Sequence, residues 1–343
     1  MLYLILGNNY INFFNNENNF LIPVYYTVFK DQLVHFGSYS FLQYILFNQY
    51  LRNSYLSDTI ILNDYQVKKI IINNVLNDEK IFFKIINSIF NRDKFFDTLY
   101  KIDLEYKQDY ENYKIFYPDW NLLYQNLKFS QDLLFIKRFN FDNFQTKMIV
   151  DIFNYFNKKV KVIDSWKYYF NLYKYQMANN RSYLFFYFGY YNIEIFIVSF
   201  ENLLYYLTNY HYDVSYKKLL NDLYCLLYNK GIFIKYLDLI NLCNFFLKNI
   251  IYIINNPFDK QEINLISKDK EIFIEKKIYY HEFNSVLLEF YKDLRNMFID
   301  IFTKVDLQII EDIYEGHFKI ISNYDIKDLF LGLLKDIMID VRS

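Results

Sequence analysis

The sequence predicts a mixed α/β fold arranged in two lobes. The chain has 343 residues, enough for two lobes that each bury a core of their own. Within residues 183–200 an apolar, aromatic run meets Gly189 and then resumes as alternating isoleucines, so we expect two strands joined by a tight turn. Short strands and longer helical patterns succeed one another along the rest of the chain, which favours the α/β class.

The first lobe, residues 1–175, is predicted to open with an antiparallel meander. Apolar strands over 1–6, 11–14, 20–29 and 33–36 are separated by turns that contain Asn and Asp. A helical insert is predicted from 38 to about 128, because its apolar side chains recur at helical spacing. Inside this insert, 101–117 alternates charge with tyrosine, and we expect a solvated helix or hairpin face there.

Two strands and two helices are predicted to complete the first lobe. A buried strand is expected over 133–136. Asp142 is placed to cap a helix that reaches about residue 155, because its carboxylate can accept bonds from the first free amides. A strand over 159–163 and a helix over 168–177, linking the lobes, follow.

The second lobe, residues 176–343, is predicted to contain the Gly189 hairpin, a helix over 216–228 and an upper subdomain at about 229–303. For that subdomain we predict a helix at 237–250, three short strands and a further helix from 280 to about 302. The three strands are predicted at 262–265, 271–274 and 277–279. A helix over 325–336 is expected near the end.

Composition and charge exclude several classes of function. The formal net charge is −1, so the chain lacks the basic field with which nucleic-acid binders release counterions. The 38 tyrosines and 37 phenylalanines are explained by AT-rich coding, and we do not interpret them as base-stacking or sugar-binding residues. No targeting segment or membrane span is apparent, since Lys235, Asp238 and Lys248 interrupt the most apolar window. We therefore predict a cytoplasmic protein.

Common catalytic and metal-binding patterns are absent from the sequence. Cys225 and Cys243 have no metal-ligand spacing and indicate a reducing compartment. The four histidines are far apart, and no G-x-S-x-G motif, Gly-rich P-loop or C-x-x-C motif occurs. The sequence therefore predicts no metal site.

Three segments resemble the nucleotide-binding domain of the DnaK-type chaperones, in the actin-like ATPase superfamily. The Gly189 hairpin is similar to the second phosphate-binding hairpin, D-L-G-G-G-T, with Y-F-G-Y-Y-N in its place at 187–192. The opening I-L-G-N-N-Y at 5–10 resembles the first phosphate loop, D-L-G-T-T-Y. The run E-G-H-F-K-I at 315–320 resembles the adenosine-side V-G-G-S-S-R-I-P, and Gly37 also falls at a glycine of the pattern.

The resemblance implies a nucleotide site whose chemistry has been lost. Ile5 and Tyr187 stand where the family has aspartates, and Tyr190 and Tyr191 would place phenol rings where phosphate oxygens should lie. Magnesium-dependent hydrolysis needs those carboxylates, so we predict no ATPase activity and no cofactor, although weak ATP or ADP binding is conceivable. The degenerate site residues implied by the resemblance are Gly7, Asn8, Asn9, Gly189, Tyr190, Tyr191, Gly316 and Lys319.

Three functions follow from the resemblance. The first is a DnaK-like pseudo-ATPase that acts as a chaperone cofactor, paired with a J-protein at the ribosome or acting like an exchange factor on an active DnaK-type chaperone. The second is an actin-like structural or scaffold subunit of a large complex. The third is an active ATPase with relocated catalytic residues. The first two imply a protein partner, with neither nucleic-acid specificity nor membrane attachment.

Overall fold

The computed structural model describes residues 1–342 except 8, 49–57, 63, 73–74, 139–140, 178–180, 202–203, 213, 259 and 270–271. The chain forms two compact units, Met1–Leu172 and Tyr173–Ser343. The sequence predicted a division after residue 175.

The first unit is built on a five-stranded sheet that mixes a meander with two parallel strands. The order in space is β11-β10-β1-β2-β3, with β1 antiparallel to β2 and parallel to β10. Its strands are β1 (Leu2–Leu6), β2 (Tyr10–Phe14), β3 (Asn19–Pro23), β10 (Asp132–Lys137) and β11 (Lys159–Asp164). Helix α6 (Asn143–Tyr155) connects β10 to β11, and the Asp142 carboxylate accepts the Gln145 amide at 2.7 Å. The opening strands predicted over 1–6 and 11–14 and the predicted helix cap are confirmed. The single strand predicted over 20–29 is wrong, because the chain divides it at Val24 into β3 and a strand of another sheet, β4 (Tyr25–Phe29).

A second sheet occupies part of the interval predicted to be helical, so the prediction of a helical insert over 38–128 is wrong at 59–76. Its strands, in the order β5-β4-β7-β6, are β4 (Tyr25–Phe29), β5 (Gln32–Phe36), β6 (Thr59–Leu62) and β7 (Tyr65–Lys69), with a separate pair β8 (Ile71–Ile72) and β9 (Val75–Leu76). Val67, Ile70 and Ile71 fit a helical period, but Ile60 and Val67 pair across β6 and β7 and are buried. Period 2 therefore describes this segment.

The remainder of the interval is helical, as predicted. Its helices are α1 (Ser38–Asn48), α2 (Glu79–Asn91), α3 (Lys94–Glu105), α4 (Lys107–Asn112) and α5 (Trp120–Phe129). The expected solvated face over 101–117 holds a buried exception, because Asp103 is only 5% exposed. Its carboxylate accepts the Tyr110 hydroxyl and the Trp120 indole N–H, each at 2.6 Å. These two donors offset part of the cost of burying the carboxyl group.

The second unit repeats the topology of the first around a four-stranded sheet. The order is β14-β13-β12-β17, with β12 antiparallel to β13 and parallel to β17. Its strands are β12 (Tyr183–Phe188), β13 (Ile193–Glu201), β14 (Leu204–Tyr212) and β17 (Phe318–Ser322). The predicted hairpin with its turn at Gly189 is confirmed. Both units thus pair the first strand of a meander with a strand that arrives much later in the chain.

Helices cover one face of this sheet and enclose an aromatic core. The Phe186 ring of β12 lies 5.1 Å from the ring of Phe330 and 5.4 Å from that of Phe298. The helices of the unit are α8 (Tyr216–Asn229), α9 (Tyr236–Asn255), α10 (Asn284–Phe302), α11 (Leu307–Tyr314) and α12 (Lys327–Arg342). Helix α7 (Ser165–Tyr173) belongs to the first unit except for its last residue. Two of these helices approach closely, since a Cβ on Gly332 of α12 would lie 2.6 Å from Ile251 Cδ1 of α9.

The predicted upper subdomain, about 229–303, contains α9, α10 and a β-hairpin. Where three short strands were predicted, the structure has two longer ones, β15 (Glu262–Asp269) and β16 (Ile272–Tyr279), paired in antiparallel. By length and composition alone, α9 is the one helix in the described part of the chain that could cross a membrane. The core helix of a soluble protein passes the same test, and α9 packs against α8, α10 and α12.

Candidate functional site

The Gly189 turn is shaped by close contacts of its own backbone. The Gly189 amide donates to the Asn192 carbonyl at 2.9 Å, which closes the turn between β12 and β13. A Cβ at Gly189 would lie 2.8 Å from the Asn192 oxygen and 2.8 Å from Tyr187 Cε1, closer than real Cβ contacts. Glycine is therefore required here for space.

The same turn occupies the N-terminus of helix α8. The amide of Tyr216 donates to the Gly189 carbonyl at 3.3 Å, and the amide of Lys217 donates to the Tyr190 carbonyl at 2.8 Å. The Lys218 amide donates to the side chain of the N-cap residue, Ser215, at 3.3 Å. The first amides of a helix attract anions when they are free. In α8 these three amides are bonded within the protein.

Four tyrosines, which we call the tyrosine cluster, surround the turn: Tyr190, Tyr191, Tyr216 and Tyr324. Ring centroids of Tyr190 and Tyr191 are 4.9 Å apart, and the rings of Tyr216 and Tyr324 stack at 4.1 Å. The ammonium of Lys217 lies 4.6 Å from the Tyr191 ring centroid, a cation–π distance. Burial raises the pKa of Tyr216 well above its ordinary value, so its phenol stays neutral.

Gly316 and Lys319 do not join this group, contrary to the grouping that the resemblance implied. Strands β12 and β17 run parallel with Leu184 opposite Phe318, so Gly316 precedes β17 at the end of the sheet far from Gly189. At about 3.3 Å per residue, the two glycines are separated by roughly 20 Å along the strands. Gly316 has a φ of +99°, and the Lys319 ammonium lies 5.3 Å from the Tyr173 ring centroid. Gly316 thus serves the turn that enters β17.

Two residues that sequence reasoning missed take the place of Gly316 and Lys319 beside the Gly189 turn. The Ser322 hydroxyl donates to the Phe188 carbonyl at 3.2 Å, and the Tyr324 ring lies 5.8 Å from the Phe188 ring. Ser322 is the last residue of β17, and Tyr324 follows it. In a parallel pair the carboxyl ends of both strands meet at one edge, and ligands of α/β sheets bind at that edge. Ser322 and Tyr324 therefore complete the second-unit candidate site.

The first unit carries the corresponding turn after β1. The Gly7 amide donates to the Tyr10 carbonyl at 3.0 Å, and the Asn9 carbonyl accepts the Val24 amide at 3.1 Å. The predicted site residue Asn8 lies outside the described residues. Burial raises the pKa of Tyr10 to about 12, and its ring meets the Phe116 ring edge-on at 5.7 Å. An aromatic residue thus packs at this turn as well.

Arg138 is a further residue that sequence reasoning did not single out. The register pairs Ile5 of β1 with Ile136 of β10, so Arg138 follows β10 at the same level as Gly7 follows β1. Its side chain is only 8% exposed. A buried arginine at the carboxyl edge of two parallel strands is a cation where α/β sheets bind ligands. The available signal was an arginine directly after a buried strand.

The carboxylates near the two turns are few. Ile5 and Tyr187 occupy the positions at which the resemblance expected aspartates, and Glu194 is buried at 5% exposure opposite Tyr187 on β13. In the first unit Asp164 ends β11 at the carboxyl edge. Within the described residues, no group of three or more His, Cys, Asp or Glu side chains could hold a metal ion.

Two units that each pair a meander with a parallel strand, with a glycine turn at the carboxyl edge, define the actin-like ATPase fold. Comparison with solved structures confirms this fold, which the sequence predicted. The comparison does not distinguish the DnaK-type branch from the others.

Two of the similar solved structures are those of MreB5 of Spiroplasma citri. The crystal structure of MreB 5 of Spiroplasma citri bound to AMPPNP superposes with a TM-score of 0.66 and 12% identity, covering 97% of this chain and 89% of that chain. The structure of MreB5 of Spiroplasma citri bound to ADP gives a TM-score of 0.63 and 11% identity, covering 99% and 96%. At these identities the likeness shows the fold alone. No protein-family profile and no curated protein matches the sequence.

Proposed function

We propose that this chain is a non-hydrolysing protein of the actin-like fold that acts as a structural subunit through protein contacts. The observation that carries the proposal is the Gly189 turn, which is filled by the protein's own groups. Phosphate binding at such a turn needs free amides and open space. Here the α8 amides bond to the turn, and the tyrosine cluster surrounds it.

Charge at the second-unit site also argues against phosphoryl transfer. Transfer from ATP needs a hydrated magnesium ion held by carboxylates and cations free to stabilise the phosphates. Tyr187 replaces one expected carboxylate, and the Lys217 ammonium is engaged by the Tyr191 ring. These features support a protein without ATPase activity and without a bound cofactor.

Two observations bear on whether the chain still binds a nucleotide. Both similar MreB structures hold an adenine nucleotide, AMPPNP in one and ADP in the other. The first unit also keeps Arg138 and Asp164 at its carboxyl edge. Any nucleotide binding that survives should therefore depend on these first-unit residues.

The test is a thermal-shift titration with magnesium ATP and ADP, together with an assay of phosphate release. A ligand at about 100 times its dissociation constant stabilises the folded state by about 2.7 kcal/mol, which moves the melting temperature by several degrees. We expect no shift at millimolar nucleotide and no phosphate release. A magnesium-dependent shift that disappears in Arg138→Ala, or phosphate release that disappears in Asp164→Asn, would overturn the proposal.

A double variant tests whether the Tyr190 and Tyr191 rings are what excludes nucleotide. Replacing both Tyr190 and Tyr191 by glycine opens the turn but leaves the α8 amides bonded to its carbonyls. If the rings exclude nucleotide, this variant should gain a measurable shift with ADP while the wild type shows none. If neither protein responds, the bonded amides are sufficient to explain the closed site.

A cytoplasmic location and a protein partner belong to this proposal. The net charge of −1 supports a partner other than nucleic acid, because counterion release requires a basic surface. The expectation that the protein does not attach to membranes is supported by the packing of α9 against three other helices.

A chaperone cofactor is the second candidate function. The observation that favours it is the confirmed turn at Gly189, where the DnaK-type pattern placed one. Purified chain can be added to an active DnaK-type chaperone loaded with fluorescent ADP, with or without a J-protein. Faster ADP release or a changed rate of hydrolysis would favour the cofactor function, and unchanged rates would leave the structural subunit as the proposal.

A further inference from the structure

The two units share one topology but differ at one edge of the sheet. In the first unit β10 pairs with β1 on one side and with β11 on the other. Its counterpart in the second unit, β17, pairs with β12 on one side, and among the described strands none lies on the other. The second unit therefore shows an open edge that the first unit covers with a parallel strand.

Burial of the side chains reflects this difference. On β10, the residues Leu133, Phe135 and Ile136 are 3%, 0% and 1% exposed. On β17, all five side chains from Phe318 to Ser322 are only half-buried, although three of them are large and apolar. An added strand would bury this apolar surface further.

The backbone of β17 is ready to accept such a strand. Leu184 donates its amide to the His317 carbonyl, so the backbone groups of 317, 319 and 321 face β12, and those of the alternate residues Phe318, Ile320 and Ser322 face outward. The Phe318 amide already donates to the Gly316 carbonyl at 2.9 Å, so the outward amides for an added strand are those of Ile320 and Ser322. Native edges are commonly guarded by lysine. The ammonium of Lys319, the one charge on this strand, is instead held over the Tyr173 ring.

Strand β11 of the first unit presents a second open edge. Its Lys159 amide donates to the Gln131 carbonyl, so alternate residues from 159 face β10, and Val160, Val162 and Asp164 turn their backbone groups away. Val162 is 42% exposed. Among the described strands, β11 is the last in its sheet.

We infer that β17 of one copy pairs with β11 of a second copy, antiparallel, with Ile320 opposite Val162. In this register the outward groups of Ile320 and Ser322 meet those of Val162 and Val160, and the Phe318 carbonyl meets Asp164. The inference deepens the proposed structural role and rests on it. Because the two edges differ, each contact is head-to-tail, and every copy can take part in two contacts.

Charge favours β11 over a second β17 as the occupant. If β17 paired with itself about a two-fold axis, Glu315 before the strand would approach Asp325 after it, and both are exposed acids. Their pairs with Arg181 and Lys248, each at 3.2 Å, are exposed and weak. In the proposed pairing the end of β17, near Asp325, lies beside Lys159 and the exposed Lys161 of β11. Opposite charges then meet.

Two proline variants test the pairing. Ile320→Pro removes an outward amide from β17, and Val162→Pro removes one from β11, while the bonds to β12 and β10 use the other residues. Ile320→Ala and Val162→Ala are the matched controls, since they shorten the same side chains and keep the amides. Sedimentation velocity from 1 to 100 µM measures assembly against the 42.5 kDa monomer.

We expect the wild type and both alanine variants to sediment as species that grow with concentration, and each proline variant to remain a monomer. Mixed in equal amounts, the proline variants should form a dimer and nothing larger, because one supplies an intact β17 and the other an intact β11. A wild type that stays monomeric at 100 µM would overturn the inference. Assembly of Val162→Pro by itself would also overturn it, since that result shows a contact that does not need β11.

Folding of each variant is checked by circular dichroism, and folding of the second unit in Ile320→Pro also by protection of the buried Cys243 from iodoacetamide. Charge reversal at Lys159 and Lys161, both to Glu, adds a second variant that leaves the backbone intact and should weaken assembly at least tenfold. The proposed function would fail through ATP hydrolysis, whereas this inference would fail through sedimentation, so the two results are distinguishable.

Discussion

The buried carboxyl group of Asp103 should make the stability of the first unit depend on pH in an unusual direction. Burial raises the pKa of Asp103 from 3.8 to about 6, although bonds from Tyr110 and Trp120 act to lower it. Between these values the unfolded chain has lost the proton while the folded chain keeps it. Stability therefore falls as the pH rises from about 4 to about 6, and stays lower above that range.

The magnitude follows from the pKa values. A rise from 3.8 to about 6 corresponds to about 3 kcal/mol, at about 1.4 kcal/mol for each pH unit. Asp103→Asn cannot ionise, and its amide can still bond the Tyr110 hydroxyl. We therefore expect the unfolding free energy of the variant, relative to wild type, to improve by about 2.4 kcal/mol between pH 4 and pH 7, because the unfolded wild type is already partly ionised at pH 4.

Urea denaturation at several pH values measures this difference, and contributions from all other groups cancel in it. A second assay uses the indole of Trp120, whose N–H donates to the Asp103 carboxylate. Its NMR resonance should titrate with a midpoint near 6, with the Trp166 indole as internal control. A free-energy difference that stays constant with pH, or a Trp120 midpoint near 4, would refute the reasoning.

Three further outcomes follow from the second unit. Gly189→Ala should lower the unfolding free energy measured in urea by about 1–3 kcal/mol, because the added Cβ has no room. In the control Gly231→Ala the added Cβ has no atom within 4 Å, but the φ of +67° is strained for alanine. We expect this control to lower the unfolding free energy by about 1 kcal/mol. Native protein should react with iodoacetamide at the exposed Cys225 only, and at both Cys225 and the buried Cys243 in urea, as mass spectrometry would show. The Asp312 carboxylate is 2% exposed and accepts hydrogen bonds from Arg181 and from the Ser182 amide, each at 2.7 Å. Asp312→Ala should therefore lower the free energy of unfolding by about 1–3 kcal/mol, measured by thermal melting. Asp312→Asn should lower it less, because its amide oxygen can still accept a hydrogen bond. Equal losses for the two Asp312 variants would contradict that account.

The features predictable from the sequence are those that a local pattern determines. The hairpin at Gly189 is one, because alternating apolar residues interrupted by glycine indicate two strands and a turn. The cap at Asp142 is another, because it depends on the next three residues alone. The segment at 59–76 failed since Val67, Ile70 and Ile71 fit both a helical and a strand period over so short a run.

The candidate site was predictable only in part, because it depends on which ends of distant strands meet. Gly316 has the glycine of the expected pattern, yet it precedes β17, and only the parallel pairing with β12 shows that this is the far end of the sheet. Ser322 reaches Phe188 across 134 positions of the chain. Asp103 lies among charged neighbours and is buried only because Trp120 and Tyr110 approach from later segments. No local sequence pattern predicts these contacts, because each joins residues from distant segments of the chain.

The bonds between α8 and the Gly189 turn bear on how the protein is made in the cell. A loop that waits for a ligand to satisfy its amides depends for its order on the supply of that ligand. Here the Gly189 and Tyr190 carbonyls supply the acceptors, so these α8 amides need no ligand to satisfy them. On the proposed function, the abundance of the folded chain should then follow its synthesis rather than the energy state of the cell.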